Sequence, residues 1–216
     1  MRNSILKLNK LILLSCLILL LVSCSESAPK IGQTFWQINL MHDQKTGKNS
    51  QALTIFVMAS DEDGVDDMDK MYVINDEHQL YWEISGNSLR MEKYGENEVW
   101  MGNNFITMPT PEEALPSGTY RIMLLDSSGE RAKTSIVISN NIKGAPDKWP
   151  TLTKMAEGVK VEGKAEYVWG VQGDGTFGGE FQVKPGVVST GGKRFSSYYL
   201  YSYLPDKGYG IINGPF

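Results

Sequence analysis

The chain has 216 residues, with 21 basic and 25 acidic side chains and a net charge of −4. That acidic balance argues against a nucleic-acid binder and against a protein that grips anionic lipid through a basic patch. Two cysteines, Cys16 and Cys24, are all the chain has.

The first 23 residues read as an export leader. Arg2, Lys7 and Lys10 give a positive start, and residues 11–22 (LILLSCLILLLV) form a mostly apolar run of twelve. At about 1.5 Å per helical residue this run spans about 18 Å, short of a hydrocarbon core of about 30 Å. The leader holds three of the 21 basic residues and none of the 25 acidic ones, so the body of 193 residues carries a net charge of −7.

Leu21-Val22-Ser23-Cys24 resembles the lipobox of bacterial lipoproteins: an aliphatic residue, a tolerant position, a small residue, then cysteine. The resemblance implies cleavage before Cys24 and a diacylglycerol on its sulfur, where a thiolate takes up the lipid. Two or more acyl chains hold a protein on a membrane without a spanning segment. Leu13-Leu14-Ser15-Cys16 is a rival match, but it would strand residues 17–22 at the mature N-terminus. With Cys16 discarded and Cys24 lipidated, the body has no thiol, disulfide or cysteine metal site. Ser25 is not an acidic retention signal, which favours the outer membrane.

Residues 24–33 are polar and contain Pro29, and read as a tether. Residues 51–60 (QALTIFVMAS) alternate Leu53, Ile55, Val57 and Ala59 against Thr54, Phe56, Met58 and Ser60, the period of a strand. Short runs at 71–74 and 80–84 follow. Hairpins are predicted around Gly95-Glu96-Asn97 and Ser127-Ser128-Gly129. Short strands with turn signals about every 8–12 residues predict an all-β sandwich or barrel.

Leu115-Pro116-Ser117-Gly118-Thr119-Tyr120, then a strand, a glycine turn and a last strand, resembles the final hairpin of fibronectin III and bacterial immunoglobulin-like domains. The resemblance spans roughly residues 34–139. It implies an immunoglobulin-like antiparallel sandwich with Tyr120 as a corner tyrosine bonded back to the backbone. It speaks to fold and not to function.

Residues 140–150 (NNIKGAPDKWP) read as a linker, and 151–157 as a short helical turn. Strands at 159–161, 164–171, 177–183 and 195–204, with an Asp174-Gly175 hairpin turn, make residues 151–216 a smaller β-rich domain or extra strands on the first. The separate domain is the preferred reading.

No catalytic constellation emerges. His42 and His78 lie in polar loops without a nucleophile elbow or catalytic cysteine. Glu83, Glu98, Glu166 and Glu180 lie in or beside strands, but nothing selects a glycosidase pair. The glycine-rich segment 173–179 lacks the helix and lysine of a phosphate cradle. The carboxylates of Asp61, Glu62, Asp63, Asp66, Asp67 and Asp69 fail the EF-hand spacing, so Asp61, Asp63 and Asp66 are weak calcium candidates and a solvated loop is preferred. Residues 197–204 (SYYLYSYL) put Tyr199, Tyr201 and Tyr203 on one strand face, placed to stack a sugar or anchor a protein, with ordinary packing as the plainer account. Trp36, Trp82, Trp100, Trp149 and Trp169 are further aromatic candidates.

The expectation is therefore a lipid-anchored envelope protein, non-enzymatic, without cofactor, that binds a protein or a glycan or supports an assembly. A carbohydrate-binding module using the tyrosine strand and a cell-wall or sugar hydrolase are the alternatives.

Overall fold

A computed structural model describes residues 27–62 and 64–216. The leader, Cys16, Cys24 and Asp63 lie outside the described residues. Among the described residues no helix is long and apolar enough to cross a membrane. The regular structure is all-β, apart from one 3-10 turn at Gly86–Ser88.

The first eight strands are β1 (Lys30–His42), β2 (Asn49–Ser60), β3 (Met68–Asn75), β4 (Leu80–Ser85), β5 (Arg90–Lys93), β6 (Glu98–Thr107), β7 (Gly118–Asp126) and β8 (Arg131–Ile138). They form a sandwich. One layer has the order β1-β2-β6-β5 and the other β4-β3-β7-β8. This is the two-layer division of an immunoglobulin-like sandwich. The strand period accounts for it. Leu53, Ile55, Val57 and Ala59 of β2 point inward and are fully buried, and meet Met71, Val73, Ile122 and Leu124 of the facing layer. The Leu, Ile, Val and Met side chains among them each contribute roughly 1.5–3 kcal/mol when taken fully out of water.

Tyr120 occupies the place the resemblance implies. Its side chain is buried and its hydroxyl donates to the Pro116 carbonyl at 2.8 Å. Burial holds the phenol above its usual ionisation range.

The remaining strands are β9 (Thr151–Met155), β10 (Gly158–Glu162), β11 (Tyr167–Val171), β12 (Phe177–Gln182), β13 (Val187–Ser189), β14 (Ser197–Leu204) and β15 (Tyr209–Asn213). β9 replaces the expected helical turn at 151–157. Its residues pair with β10, from Gly158 opposite Met155 to Glu162 opposite Thr151, and the ladder overrides local propensity. Residues 30–33 of the expected tether are likewise strand, held against β2.

β15 lies beside β1 in parallel, Asn39 opposite Gly210 and Leu40 opposite Ile211. This pairing fuses two four-stranded pieces into one sheet, β12-β11-β14-β15-β1-β2-β6-β5. The region 151–216 keeps an apolar cluster of its own, around Val159, Val168, Phe195 and Leu200, and a three-stranded sheet β13-β10-β9, but β11, β12, β14 and β15 extend the sheet of the first unit.

Paired residues on neighbouring strands share a face. Along β1, β15, β14 and β11 the register sets Leu40, Ile211, Ser202 and Leu200 with Val168 on one face. Ile38 and Leu53 continue it into the sandwich. Both smaller sheets, β4-β3-β7-β8 and β13-β10-β9, thus cover the same face of the large sheet. Segment 140–150 lies over the seam between them. Ile142 and Trp149 pack on Leu40, Tyr209 and Ile211, and the Tyr209 hydroxyl donates to the Gly144 carbonyl.

Candidate functional site

The second face of the large sheet carries the alternate residues, and among the described residues no sheet covers it. The register brings together Phe35 with Phe56, Gln37 with Thr54, Tyr201 with Tyr167 and Ile212, and Trp169 with Tyr199 and Glu180. On the far side, Arg90 and Glu92 of β5 pair with Gly102 and Trp100 of β6.

This face is concave because the sheet rolls until its two edge strands meet through side chains. Arg90 on β5 reaches β12. Its guanidinium lies 3.8 Å from the centre of the Phe177 ring and 3.8 Å from Glu180 Oε2. It also lies 3.6 Å from Glu92 Oε2 and 5.6 Å from the Phe56 ring centre. The Arg90 side chain is 19% exposed, so these contacts are only partly screened by water. Below them, Asn87 Nδ2 donates to Asp174 Oδ2 at 3.3 Å. The Asp174 turn is held by its own carboxylate, which accepts the Thr176 amide at 2.9 Å and lies below the usual carboxylate range for that reason. Gly175 sits there at φ 86°, as a tight hairpin requires.

One end of the roll is filled. Phe105, Trp169, Tyr199, Ala52 and Ile212 pack there, with Phe105 and Tyr199 ring centres 5.0 Å apart. The other end holds a cavity of about 420 Å³, within the usual range for small-ligand sites. Every strand of the large sheet except β15 contributes to its wall. Phe35, Phe56, Trp100, Tyr167, Trp169 and Tyr201 supply rings, while Gln37, Thr54, Asn104, Arg90, Glu92 and Glu180 supply polar groups. A wider recess alongside shares Arg90, Glu92, Asn104 and Glu180 and adds Tyr199.

Several of these groups are fixed by their neighbours. Tyr201 stacks on Trp169, with centres 4.9 Å apart and planes at 16°. The Trp169 indole donates to Glu180 Oε2 at 2.9 Å. Burial, with the nearby Glu166 carboxylate a lesser cause, pushes the Tyr201 phenol up to about 12. β15 has a glycine at the position facing this ring. A Cβ on Gly210 would fall 2.0 Å from Asn39 Oδ1 and 2.9 Å from the Tyr201 ring.

The tyrosine strand thus faces the roll rather than open solvent. Tyr201 lines the cavity, Tyr199 lines the recess and packs on Phe105, and Tyr203 lines neither. All three are half-buried. Of the tryptophans, Trp100 and Trp169 line the cavity. Trp82 and Trp36 pack against the sandwich core, and Trp149 covers the seam.

The other sequence candidates lie elsewhere. The His42 ring stacks on Trp149 with centres 4.9 Å apart, and its Nδ1 pairs with Asn49 Oδ1 at 2.7 Å. His78 Nδ1 pairs with Asn75 Oδ1 at 3.1 Å. Glu83 accepts the Tyr72 hydroxyl at 3.0 Å, the main reason its carboxyl is held low. In the acidic loop, Asp61 is buried and accepts the Ser27 hydroxyl at 2.6 Å, Glu62 pairs with Lys30 at 2.6 Å, and Asp66 pairs with Lys93. Among the described residues no group of three His, Cys, Asp or Glu side chains is placed to hold a metal ion.

The rolled face went unforeseen in the sequence. Its weak signal was the second register of β2, Thr54 and Phe56, which reads as the solvent side of an ordinary sandwich strand. No family model, curated protein or solved structure matches the chain.

Proposed function

We propose that the chain is a lipid-anchored, non-enzymatic binding protein of the bacterial envelope, held by lipid on Cys24, most simply in the outer membrane, and taking a small ligand into the rolled sheet. The observation that carries the binding half of this reading is the ring-lined cavity with its few convergent polar groups. The anchor half is supported by the Leu21-Val22-Ser23-Cys24 motif. The protein partner and the assembly role expected alongside a glycan have no comparable feature to support them.

The hydrolase alternative has one observation in its favour, since Glu92 and Glu180 line the same cavity. A glycosidase needs one carboxyl free to donate a proton and another free to attack or to activate water. Here a single guanidinium lies within 4 Å of both, and the Trp169 indole also occupies Glu180. That arrangement holds the two edges of the roll together and favours binding over hydrolysis.

Two measurements test the two halves. Cys24→Ala is expected to abolish incorporation of radioactive fatty acid and to release the chain from the membrane fraction. Unchanged labelling would sink the anchor at Cys24. For the cavity, native mass spectrometry of the full chain against a small-molecule library is expected to give non-covalent adducts that Thr54→Trp, which fills the cavity, removes. Adducts that persist in that variant would place binding elsewhere.

A further inference from the structure

The inference concerns the ligand, and it rests on the binding reading above. Four features of the cavity narrow its chemistry. First, the walls are aromatic, and not all of the rings are committed. Trp169 and Tyr201 cover one another. Phe35, 49% exposed, and the half-buried Trp100 have no ring partner among the described residues. They offer flat faces to a ligand.

Second, a buried amide lines the cavity without a partner. Asn104 is 7% exposed, and its side chain makes no hydrogen bond among the described residues. Its polar atoms are not fully buried, so they open on the cavity and can exchange water for a ligand group. An amide offers both donors and an acceptor, which matches hydroxyl groups. The Gln37 amide donates to the Ile38 carbonyl at 2.9 Å and leaves its oxygen to accept another hydrogen.

Third, the charge at this site is negative. Glu92 and Glu180 outnumber Arg90, and the body as a whole is acidic. An anionic ligand such as a fatty acid or a uronate meets repulsion there. Fourth, the cation that rings and carboxylates together would attract is already in place. The Arg90 guanidinium sits over Phe177 and beside both glutamates.

A ligand that is uncharged, has an apolar face for rings and carries hydroxyls for amides and carboxylates satisfies all four. We propose that the cavity binds a neutral saccharide, its C–H face on Trp100 and Phe35 and its hydroxyls bonded to Asn104, Gln37 and Glu180. A purely apolar ligand would fill the space but leave Asn104 unpaired.

The test uses the full chain in a non-glycosidic detergent. An array printed with neutral oligosaccharides and with uronate- or sialate-bearing ones is followed by calorimetric titration of the best neutral oligosaccharide. Choline and a long-chain fatty acid are titrated in parallel. Neutral glycans are expected to be retained and acidic ones rejected. Trp100→Ala is expected to weaken binding about tenfold, the worth of one good ring contact. Asn104→Leu, which keeps the volume but not the amide, is expected to weaken it by a similar factor. Tyr81→Ala, 71% exposed on β4 and away from the cavity, is expected to leave it unchanged.

Glycan binding that survives both Trp100→Ala and Asn104→Leu would overturn the site. Binding of choline or the fatty acid but of no neutral glycan would overturn the saccharide and leave the binding-protein reading standing. Binding of none of these probes, together with no adduct in the library screen, would overturn both.

Discussion

The two faces of the eight-stranded sheet are made by alternate residues of the same strands, yet they have opposite characters. One face is aliphatic and covered by two smaller sheets, with Leu53, Ile55 and Val57 fully buried. The other is aromatic and uncovered, and closes only as far as Arg90 reaching Phe177 and Glu180. The difference teaches that a sheet can separate stability from binding at a spacing of one residue. Aliphatic side chains interdigitate across layers and expel water. Rings with polar neighbours keep a flat, adaptable wall that tolerates a space beside it.

The largest expected effect tests that separation directly. Ile55→Ala removes a fully buried side chain from the covered face and is expected to cost about 2–5 kcal/mol in urea denaturation. Phe56→Ala, the next residue on β2, deletes more atoms from the open face and is expected to cost no more than about 1–2 kcal/mol, because that ring is only half-buried. Equal costs would break the comparison.

A smaller effect is expected at the corner of the sandwich. Tyr120→Phe keeps the ring but leaves the Pro116 carbonyl without its 2.8 Å bond. A loss of about 1–3 kcal/mol is expected, read as a shift in the urea midpoint with an unchanged slope.

The smallest effect sharpens the description of the open face. Burial raises the Tyr201 phenol from 10.0 to about 12. The unfolded chain therefore loses this proton before the folded one does. Stability from this group is fully present below pH 10 and is lost as pH rises through about 12. Tyr120 and Tyr199 are raised in the same direction, so their contributions fall in the alkaline range as well. Tyr201→Phe is expected to flatten, without abolishing, the fall in melting temperature across that range. An unchanged slope would mean that Tyr201 is as wet as an ordinary surface phenol.

Much of the sandwich is legible in the sequence. The alternation in residues 51–60 became β2 with its inward residues as read. The Ser127-Ser128-Gly129 turn joins β7 to β8, and Tyr120 makes the backbone bond its motif implied. These are local signals, a period of two and a turn chemistry, written within a few residues of where they act.

The cavity was legible only in fragments. The tyrosine strand pointed at β14, but half of its promise went into packing on Trp169 and Phe105. Arg90, Glu92, Asn104 and Gln37 carried no motif. Nothing in their neighbourhoods distinguishes them from any exposed strand residue. Glu180 stood among four strand glutamates with nothing to select it.

By itself, the sequence determined the all-β class, where several hairpins turn and which residues of β2 face inward. Those properties follow from side-chain alternation and turn residues, which act over short range. The tertiary structure decided that residues 151–216 would lengthen the first sheet rather than only follow it. The parallel pairing of β1 with β15 joins segments separated by most of the chain, and a backbone ladder carries no side-chain code for a partner that distant. The curl that brings β5 to β12 follows from the same long-range assembly, and it turns an apparently outward face into a lined cavity.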